Sequence, residues 1–297
     1  MIKNPFFYRI SQLVGFLLGA RIFVAFLLTF ALYVSTFFLF NQEESLREFV
    51  FDFKVHGIIF CTVLSILAGG IINQFYDREK DQLTKPFRTK IQSFLKQKYF
   101  LYAYLILVVI SLGTAVLISP RVFFFFLIYQ FFMWFYSHKL SKILIVNNLT
   151  FVSLTLYPFF GMLVYYHTFF GTVFLMAVFL FMILLMIDIV KDILTKNADK
   201  IFGYTTIPNF FGTRSTVNLV TGLAISLFVV SMLIISRSGI HSILALYFAA
   251  GLFVISFAVY FLLSSRKKSN LFVLNILRIW VFVGIIAMLL DGIIKRF

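Results

Sequence analysis

The chain has 297 residues, of which 62% are hydrophobic and only 12% are charged, and its mean hydropathy is +1.01. A soluble domain carries about twice that charged fraction, so the composition excludes an ordinary soluble protein. The single cysteine, Cys61, excludes an internal disulfide, and the formal net charge of +15 fits loops that face an anionic membrane leaflet better than it fits nucleic-acid binding.

Apolar segments long enough to cross a hydrocarbon core of about 30 Å recur along the sequence. The short alternating segments of a transmembrane β-barrel are not evident, so the sequence predicts an all-α polytopic membrane protein. We expect one membrane domain over residues 1–297, with residues 1–21 as an interfacial N-terminal helix. Nine transmembrane helices are predicted, at residues 22–40, 56–76, 99–118, 121–137, 143–165, 169–187, 216–236, 240–263 and 271–290.

One charged phrase occurs at the ends of two of these spans. Residues 77–85 read DREKDQLTK and residues 188–196 read DIVKDILTK, so both contain D-x-x-K-D-x-L-T-K. The first follows predicted span two and the second follows span six. This shift of four spans predicts a pseudo-repeat of helices around a central cavity, in which the same ends of spans two and six lie close together.

The distribution of Lys and Arg predicts the orientation in the membrane. With the N-terminus in the cytoplasm, nineteen of the 26 basic residues fall in inner segments and six in outer segments. Both charged phrases are then cytoplasmic and the C-terminus lies outside. In a bacterium, this integral multi-pass protein would lie in the cell membrane.

The acidic residues of each phrase repeat at helical spacing. Because each residue turns an α-helix by about 100°, one face of each helix presents a row of oxygen ligands. These residues are Asn73, Asp77 and Asp81 in the first helix, and Asp188, Asp192 and Asp199 in the second. Mg²⁺ typically takes one or two carboxylates together with substrate phosphate oxygens. With the interleaved Lys and Arg residues, the pattern predicts a Mg²⁺–diphosphate site, although a single such phrase is also typical of a solvated helix end.

Three stretches resemble motifs of the UbiA superfamily of intramembrane prenyltransferases. LAGGIINQFYDREKDQLTKPFRTK is similar to the first family motif, N-x-x-x-D-x-x-x-D. LLMIDIVKDILTKNADKIFGYTTIPNFFG is similar to the second, D-x-x-x-D with a further acid and a T-x-P-x-x-x-G tail. FYSHKLSKILIVNN is similar to a Tyr-Ser/Lys segment after the fourth helix. The resemblance begins near residue 21, covers most of the chain and extends to the count of nine helices.

The resemblance implies a prenyl diphosphate donor that is bound through Mg²⁺, with its tail in a lipid-facing cavity. The implied metal ligands are Asn73, Asp77 and Asp81 for one ion, and Asp188 and Asp192 for the other, and these four aspartates are the expected catalytic carboxylates. Tyr136 would lie near the allylic carbon. The residues expected to bind the diphosphate are Arg21, Arg88, Lys139, Lys191 and Lys196.

The predicted activity is Mg²⁺-dependent transfer of a prenyl group from a polyprenyl diphosphate to a lipid-soluble or aromatic acceptor. The pattern D-I-V-K-D…D-K-x-x-G-Y-x-T-x-P looks closest to the glycerol-phosphate-lipid and chlorophyll branches, with 4-hydroxybenzoate or naphthoate as alternative acceptors. Donor, acceptor and membrane lipids are the expected partners, with no nucleic acid and no obligate protein partner. An ion-coupled transporter and a non-catalytic membrane protein remain alternatives.

Four positions depart from the family pattern. Gln74 stands where many members have Asp, Phe87 stands where an Asp often follows the proline, and Leu194 and Thr195 replace more acidic residues. These departures weaken the expected metal affinity.

Isolated polar residues also occur inside the predicted spans. Asn147 and Asn148 either line the cavity or form ordinary interhelical hydrogen bonds. Arg278 either extends toward the membrane surface or pairs with a polar neighbour such as Asn275.

Overall fold

The structure is a computed structural model, and it describes residues 5–41, 45–239, 242–264 and 267–296. These residues form thirteen α-helices joined by short connections, and no β-strand occurs among them. Eight of the helices are long and apolar enough to cross a membrane. The prediction of an all-α polytopic fold is therefore confirmed.

The chain forms two compact units, and the first comprises Met1–Tyr33 and Glu44–Ser141. Its longest helix, α4, is 32 residues long and carries the first charged phrase at its end. The helices of this part of the chain are α1 (Pro5–Gly19), α2 (Ile22–Ser35, which continues into the second unit), α3 (Leu46–Val50), α4 (Phe53–Thr84), α5 (Pro86–Gln92), α6 (Gln97–Ile118) and α7 (Pro120–His138).

The second unit comprises Val34–Glu43 and Lys142–Phe297. Its longest helix, α9, has 31 residues and carries the second charged phrase. A π-helical turn at Thr36–Phe40 belongs to this unit, and a short 3₁₀ turn at Leu140–Lys142 leads into it. The remaining helices are α8 (Val146–Tyr165), α9 (Gly171–Ile201), α10 (Ile207–Phe210), α11 (Gly212–Ser238), α12 (Ile243–Leu263) and α13 (Lys267–Arg296).

Each predicted span corresponds to a long helix, but the helix of the fourth span is not among the eight counted above. The fourth predicted span forms α7, which has 19 residues but is not among the eight helices that are long and apolar enough to cross a membrane. It contains Arg121, Gln130 and His138 together with Tyr and Trp, which are less hydropathic than aliphatic residues. The predicted N-terminal helix is present as α1, and its interfacial position remains a prediction.

A buried polar cluster joins α4, α6 and α7 in the first unit. Gln130 Nε2 donates to Ser65 Oγ and to Ser111 Oγ, both at 2.9 Å. Ser111 Oγ lies 3.1 Å from the carbonyl oxygen of Cys61, and Cys61 Sγ lies 3.3 Å from the carbonyl oxygen of Ser111. Polar groups inside a membrane bundle need such internal partners, so this cluster fixes how the three helices align.

The core of the second unit surrounds α9. Fully buried side chains from four helices meet there, namely Ile183 of α9, Leu227 of α11, Ile255 of α12 and Leu277 of α13. These contacts hold the acidic part of α9 inside the unit, where its orientation is set by packing on several sides.

Removing the hydroxyl of Ser111 tests the buried cluster. Ser111→Ala deletes a group that contacts both Gln130 and Cys61, so we expect the free energy of unfolding to fall by about 1 kcal/mol. Ser236→Ala, at an exposed position on α11, is the control and should leave stability unchanged. Thermal unfolding in one detergent measures both variants, and equal stability would show that the cluster contributes nothing.

Candidate active site

The first charged phrase ends α4 with two hydrogen-bonded carboxylates. Asn73 Nδ2 donates to Asp77 Oδ2 at 2.7 Å, one helical turn apart. Asp81 is only 5% exposed, and its Oδ1 accepts from Lys85 Nζ at 2.8 Å and from Thr84 Oγ1 at 3.3 Å. The helix ends here because the residue after Lys85 is a proline, which disfavours helical conformation in the residue before it.

Asp81 interacts with two cations, Lys85 and Arg88, and Arg21 lies near both of them. Arg21 and Arg88 interact electrostatically with each other and with Lys85. Burial lowers the pKa of the Arg88 guanidinium, the neighbouring Arg21 lowers it further, and Asp81 opposes both effects. Burial also lowers the pKa of Lys85, against the attraction of Asp81. One carboxylate cannot balance three cations, so the cluster favours a bound anion.

Backbone geometry places Arg21 in this cluster. Arg21 has a φ of 55°, in the left-handed region, and forms the sharp connection between α1 and α2. This connection lies directly on α4, because a Cβ at Gly70 would come within 2.8 Å of the Ala20 carbonyl oxygen. The Nε atoms of Arg21 and Arg88 are buried and have no hydrogen-bond partner among the described residues. Both guanidiniums therefore retain donor capacity for a ligand.

The end of α7 lies beside the first phrase. The His138 ring stacks on Trp134 and meets the Tyr76 ring edge-on, with centroid separations of 5.4 Å in each case. Tyr76 immediately precedes Asp77, so this contact brings the segment with Tyr136 and Lys139 near the acids of α4. Lys139 is exposed, so a ligand can reach its ammonium group.

In the second unit, one amide holds two buried carboxylates. Asn148 Nδ2 donates to Asp188 Oδ2 and to Asp192 Oδ2, both at 2.8 Å. Asn147 Nδ2 lies 3.5 Å from the same Asp192 oxygen. Lys191 Nζ forms an ion pair with Asp188 Oδ1 and lies 3.9 Å from Asp192 Oδ1. Asp188 and Asp192 are 1% and 3% exposed, so their charges depend on these partners.

Helix α9 continues past the second phrase and keeps its third acid on the buried face. Asp199 is fully buried, and its Oδ2 accepts from Thr195 Oγ1 at 2.7 Å. Lys196 Nζ lies 3.1 Å from Thr213 Oγ1 at the start of α11. Lys191 Nζ also lies 5.0 Å from the ring centroid of Phe151 on α8. The structure therefore brings Lys191 to the carboxylate pair and directs Lys196 toward Thr213.

Sequence reasoning identified the acids but not all of their partners. Asn148 is one of two adjacent asparagines in an apolar span, for which the sequence allows either a cavity or an interhelical role, and it is the donor that both carboxylates share. Lys85 was only one of several interleaved cations, and it proves to be the direct partner of Asp81. An asparagine pair in an otherwise apolar helix was the available signal for the first of these.

The two carboxylate groups fit Mg²⁺ bound together with a phosphate ligand. Among the described residues, no group of three or more His, Cys, Asp and Glu side chains is arranged to hold a metal. Mg²⁺ does not require one, since it commonly uses one or two carboxylates with substrate phosphates and water. Asp188 and Asp192 converge on one point, and the buried Asn148 Oδ1 has no hydrogen-bond partner among the described residues.

The sequence profile of the UbiA prenyltransferase family matches residues 45–282. The chain belongs to this family. The digeranylgeranylglyceryl phosphate synthase of Thermococcus gammatolerans is 27% identical over 182 residues, which is 61% of this chain and 65% of the relative. The match thus spans just under two thirds of that relative's length.

Solved structures of UbiA homologues have the same fold. The homologue from Aeropyrum pernix K1 aligns with a TM-score of 0.69 at 16% identity, over 92% of this chain and 98% of that one. The homologue from Archaeoglobus fulgidus bound to GPP and Mg²⁺ aligns with a TM-score of 0.66 at 15% identity, over 93% and 99%. The fold class and the family resemblance are confirmed, and the protein is an integral multi-pass membrane protein.

Replacing Asn148 tests how the carboxylate pair is held. Asn148→Ala removes the donor that Asp188 and Asp192 share, so we expect the free energy of unfolding to fall by about 1–3 kcal/mol in the absence of Mg²⁺. Asn197→Ala, at an exposed position on α9, provides the matched control. If thermal unfolding gave the same stability for both variants, the shared amide would not be what holds the pair.

Proposed function

We propose that this protein transfers a prenyl group from a polyprenyl diphosphate to an acceptor, in a reaction that requires Mg²⁺. The buried pair Asp188 and Asp192, together with Lys191, carries the proposal, because carboxylates and a cation converge in a chain of the UbiA family. The Thermococcus relative, a digeranylgeranylglyceryl phosphate synthase, supports a glycerol-phosphate lipid as the acceptor class.

We further propose that both charged phrases bind Mg²⁺ together with diphosphate. Asp77 and Asp81 with Asn73 would hold one metal ion, and Asp188 with Asp192 would hold the other. When bound, Mg²⁺ neutralises charge on the diphosphate and makes it a better leaving group. Diphosphate is multiply charged, so in each phrase the cations beside the carboxylates suit its phosphate oxygens.

The chain's own cations would stabilise the departing diphosphate. Arg21, Lys85 and Arg88 in the first unit and Lys191 in the second would face the oxygens on which negative charge grows as the allylic C–O bond breaks. Lys139 would add a further contact, whereas Lys196 would have to leave Thr213 to contribute.

The allylic carbon would then bond to the acceptor oxygen or ring carbon, and the acceptor would lose a proton as diphosphate departs. Tyr136 would stabilise the positive charge on the allylic carbon through its ring, an attraction on the order of 1–2 kcal/mol in a dry site. The apolar helices would keep water, a competing acceptor, away from this carbon.

Neutralising single carboxylates tests the proposed activity. Asp77→Asn and Asp192→Asn should each reduce turnover by about 100-fold or more, because each change removes charge from the ligand shell. Glu79→Gln, an exposed acid two residues from Asp77, serves as the control and should retain full turnover. A first assay measures Mg²⁺-dependent binding of labelled geranylgeranyl diphosphate. A second assay supplies glycerol-phosphate-lipid and aromatic acceptors and identifies the product by mass.

Near-normal turnover of either variant would show that its carboxylate is not a ligand. Absence of Mg²⁺-dependent donor binding in the folded parent protein would contradict the enzyme proposal and favour a transporter or a non-catalytic protein. A product formed only from 4-hydroxybenzoate or a naphthoate would redirect the acceptor class to quinone precursors.

We propose that both phrases face the cytoplasm, since the nineteen-to-six bias of basic residues supports this orientation. Single cysteines at the exposed positions Lys90 and Asn197 should react only with a reagent that reaches the cytoplasmic side, whereas one at Arg121 should react from outside. The native Cys61 is fully buried and is expected to give little background. Labelling of positions 90 and 197 from outside would reverse the topology.

A further inference from the structure

An arginine inside the last membrane helix is not used by the proposed diphosphate site. Arg278 lies seven residues after the start of the predicted span 271–290, or about 10 Å along the helix axis. Its side chain is exposed, although Leu274 and Leu277 beside it are buried in the core that α13 shares with α9. A charge at such a depth is costly unless it meets a partner or a polar ligand.

Arg278 interacts electrostatically with Asp188, which lies on the neighbouring helix α9. The oxygens of Asp188 are already used, since Asn148 donates to one and Lys191 pairs with the other. No described residue forms a hydrogen bond with the Arg278 guanidinium. Asp188 therefore attracts the guanidinium to this side of α13 but leaves its N–H donors available.

A second polar side chain lies next to Arg278 on the same side of α13. Asn275 is also exposed, and it precedes Arg278 by three residues, so the two side chains are neighbours on the helix surface. Asn275 comes directly after the buried Leu274, and Arg278 comes directly after the buried Leu277. A planar guanidinium beside an amide can bind a phosphate or a carboxylate through two or more hydrogen bonds.

We propose that Arg278, together with Asn275, binds the anionic group of the acceptor. This inference rests on the proposed prenyl transfer, and it adds a second anion site that is separate from the donor diphosphate. The cations of the two charged phrases are committed to the donor, so an acceptor that carries its own phosphate or carboxylate needs another cation. Arg278 binds and positions this acceptor and takes no part in breaking or forming bonds.

Direct binding measurements on the full-length protein in lipid nanodiscs test this site. The probes are geranylgeranylglyceryl phosphate, its dephosphorylated alcohol, 4-hydroxybenzoate and, separately, geranylgeranyl diphosphate with Mg²⁺. Arg278→Gln should weaken binding of an anionic acceptor by about ten- to a hundredfold, and Arg278→Lys should weaken it less, because charge remains while the planar fork is lost. Binding of the alcohol should be weak and unchanged, and donor binding should stay within about twofold.

Arg121→Gln, an exposed arginine in the first unit, provides the matched control and should change none of these affinities. Loss confined to geranylgeranylglyceryl phosphate would identify a phosphate site, and loss confined to 4-hydroxybenzoate would identify a carboxylate site. Unchanged binding of both anions in Arg278→Gln would overturn the proposal, as would equal losses for donor and acceptor. If the parent protein bound the anionic lipid through Arg278 but did not bind the donor, the proposed function would fail while the anion site remained.

Discussion

The second unit depends on one shared hydrogen-bond donor, the Asn148 amide, which keeps two carboxylates of α9 together inside a membrane protein. Asp188 and Asp192 are almost completely buried, and two adjacent negative charges would repel each other without this donor and Lys191. The pairing requires α8 to begin near residue 146, so that its first turn reaches α9. The connection with Ile145 in a left-handed conformation, at a φ of 64°, provides that start.

The two charged phrases share a sequence, but the lysine that ends each phrase has a different kind of partner. In the first, Lys85 at the end of the phrase pairs with Asp81. In the second, the equivalent Lys196 contacts Thr213, and Lys191 within the phrase pairs with Asp188. The difference follows from the surroundings, because α4 ends before Pro86, whereas α9 continues to Ile201 and packs against α11. Internal repetition therefore preserves both carboxylates and both lysines, while the surroundings determine the partner of the last lysine.

Hydropathy and helical spacing were sufficient to predict the helices and the acidic faces, because burial in a membrane and a 3.6-residue repeat are properties of the local sequence. The partners of the acids were not predictable in the same way. The hydrogen bond between Asn148 and Asp188 joins residues forty positions apart, so it depends on how α8 packs against α9. The proximity of Arg21 and Arg88 depends on a sharp turn before α2. Such contacts arise from tertiary packing. The lower hydropathy of α7 reflects Arg121, Gln130 and His138 together with its Tyr and Trp residues.

Both charged phrases are proposed to bind a divalent ion together with diphosphate, although 111 positions separate them in the sequence. Electron paramagnetic resonance with Mn²⁺ in place of Mg²⁺ counts the bound ions most directly, in the presence and absence of geranylgeranyl diphosphate. We expect two Mn²⁺ ions per chain with donor present, one of which is lost in Asp77→Asn and the other in Asp192→Asn. A parent protein that binds fewer than two Mn²⁺ ions with donor present, or variants that keep both ions, would contradict the proposal.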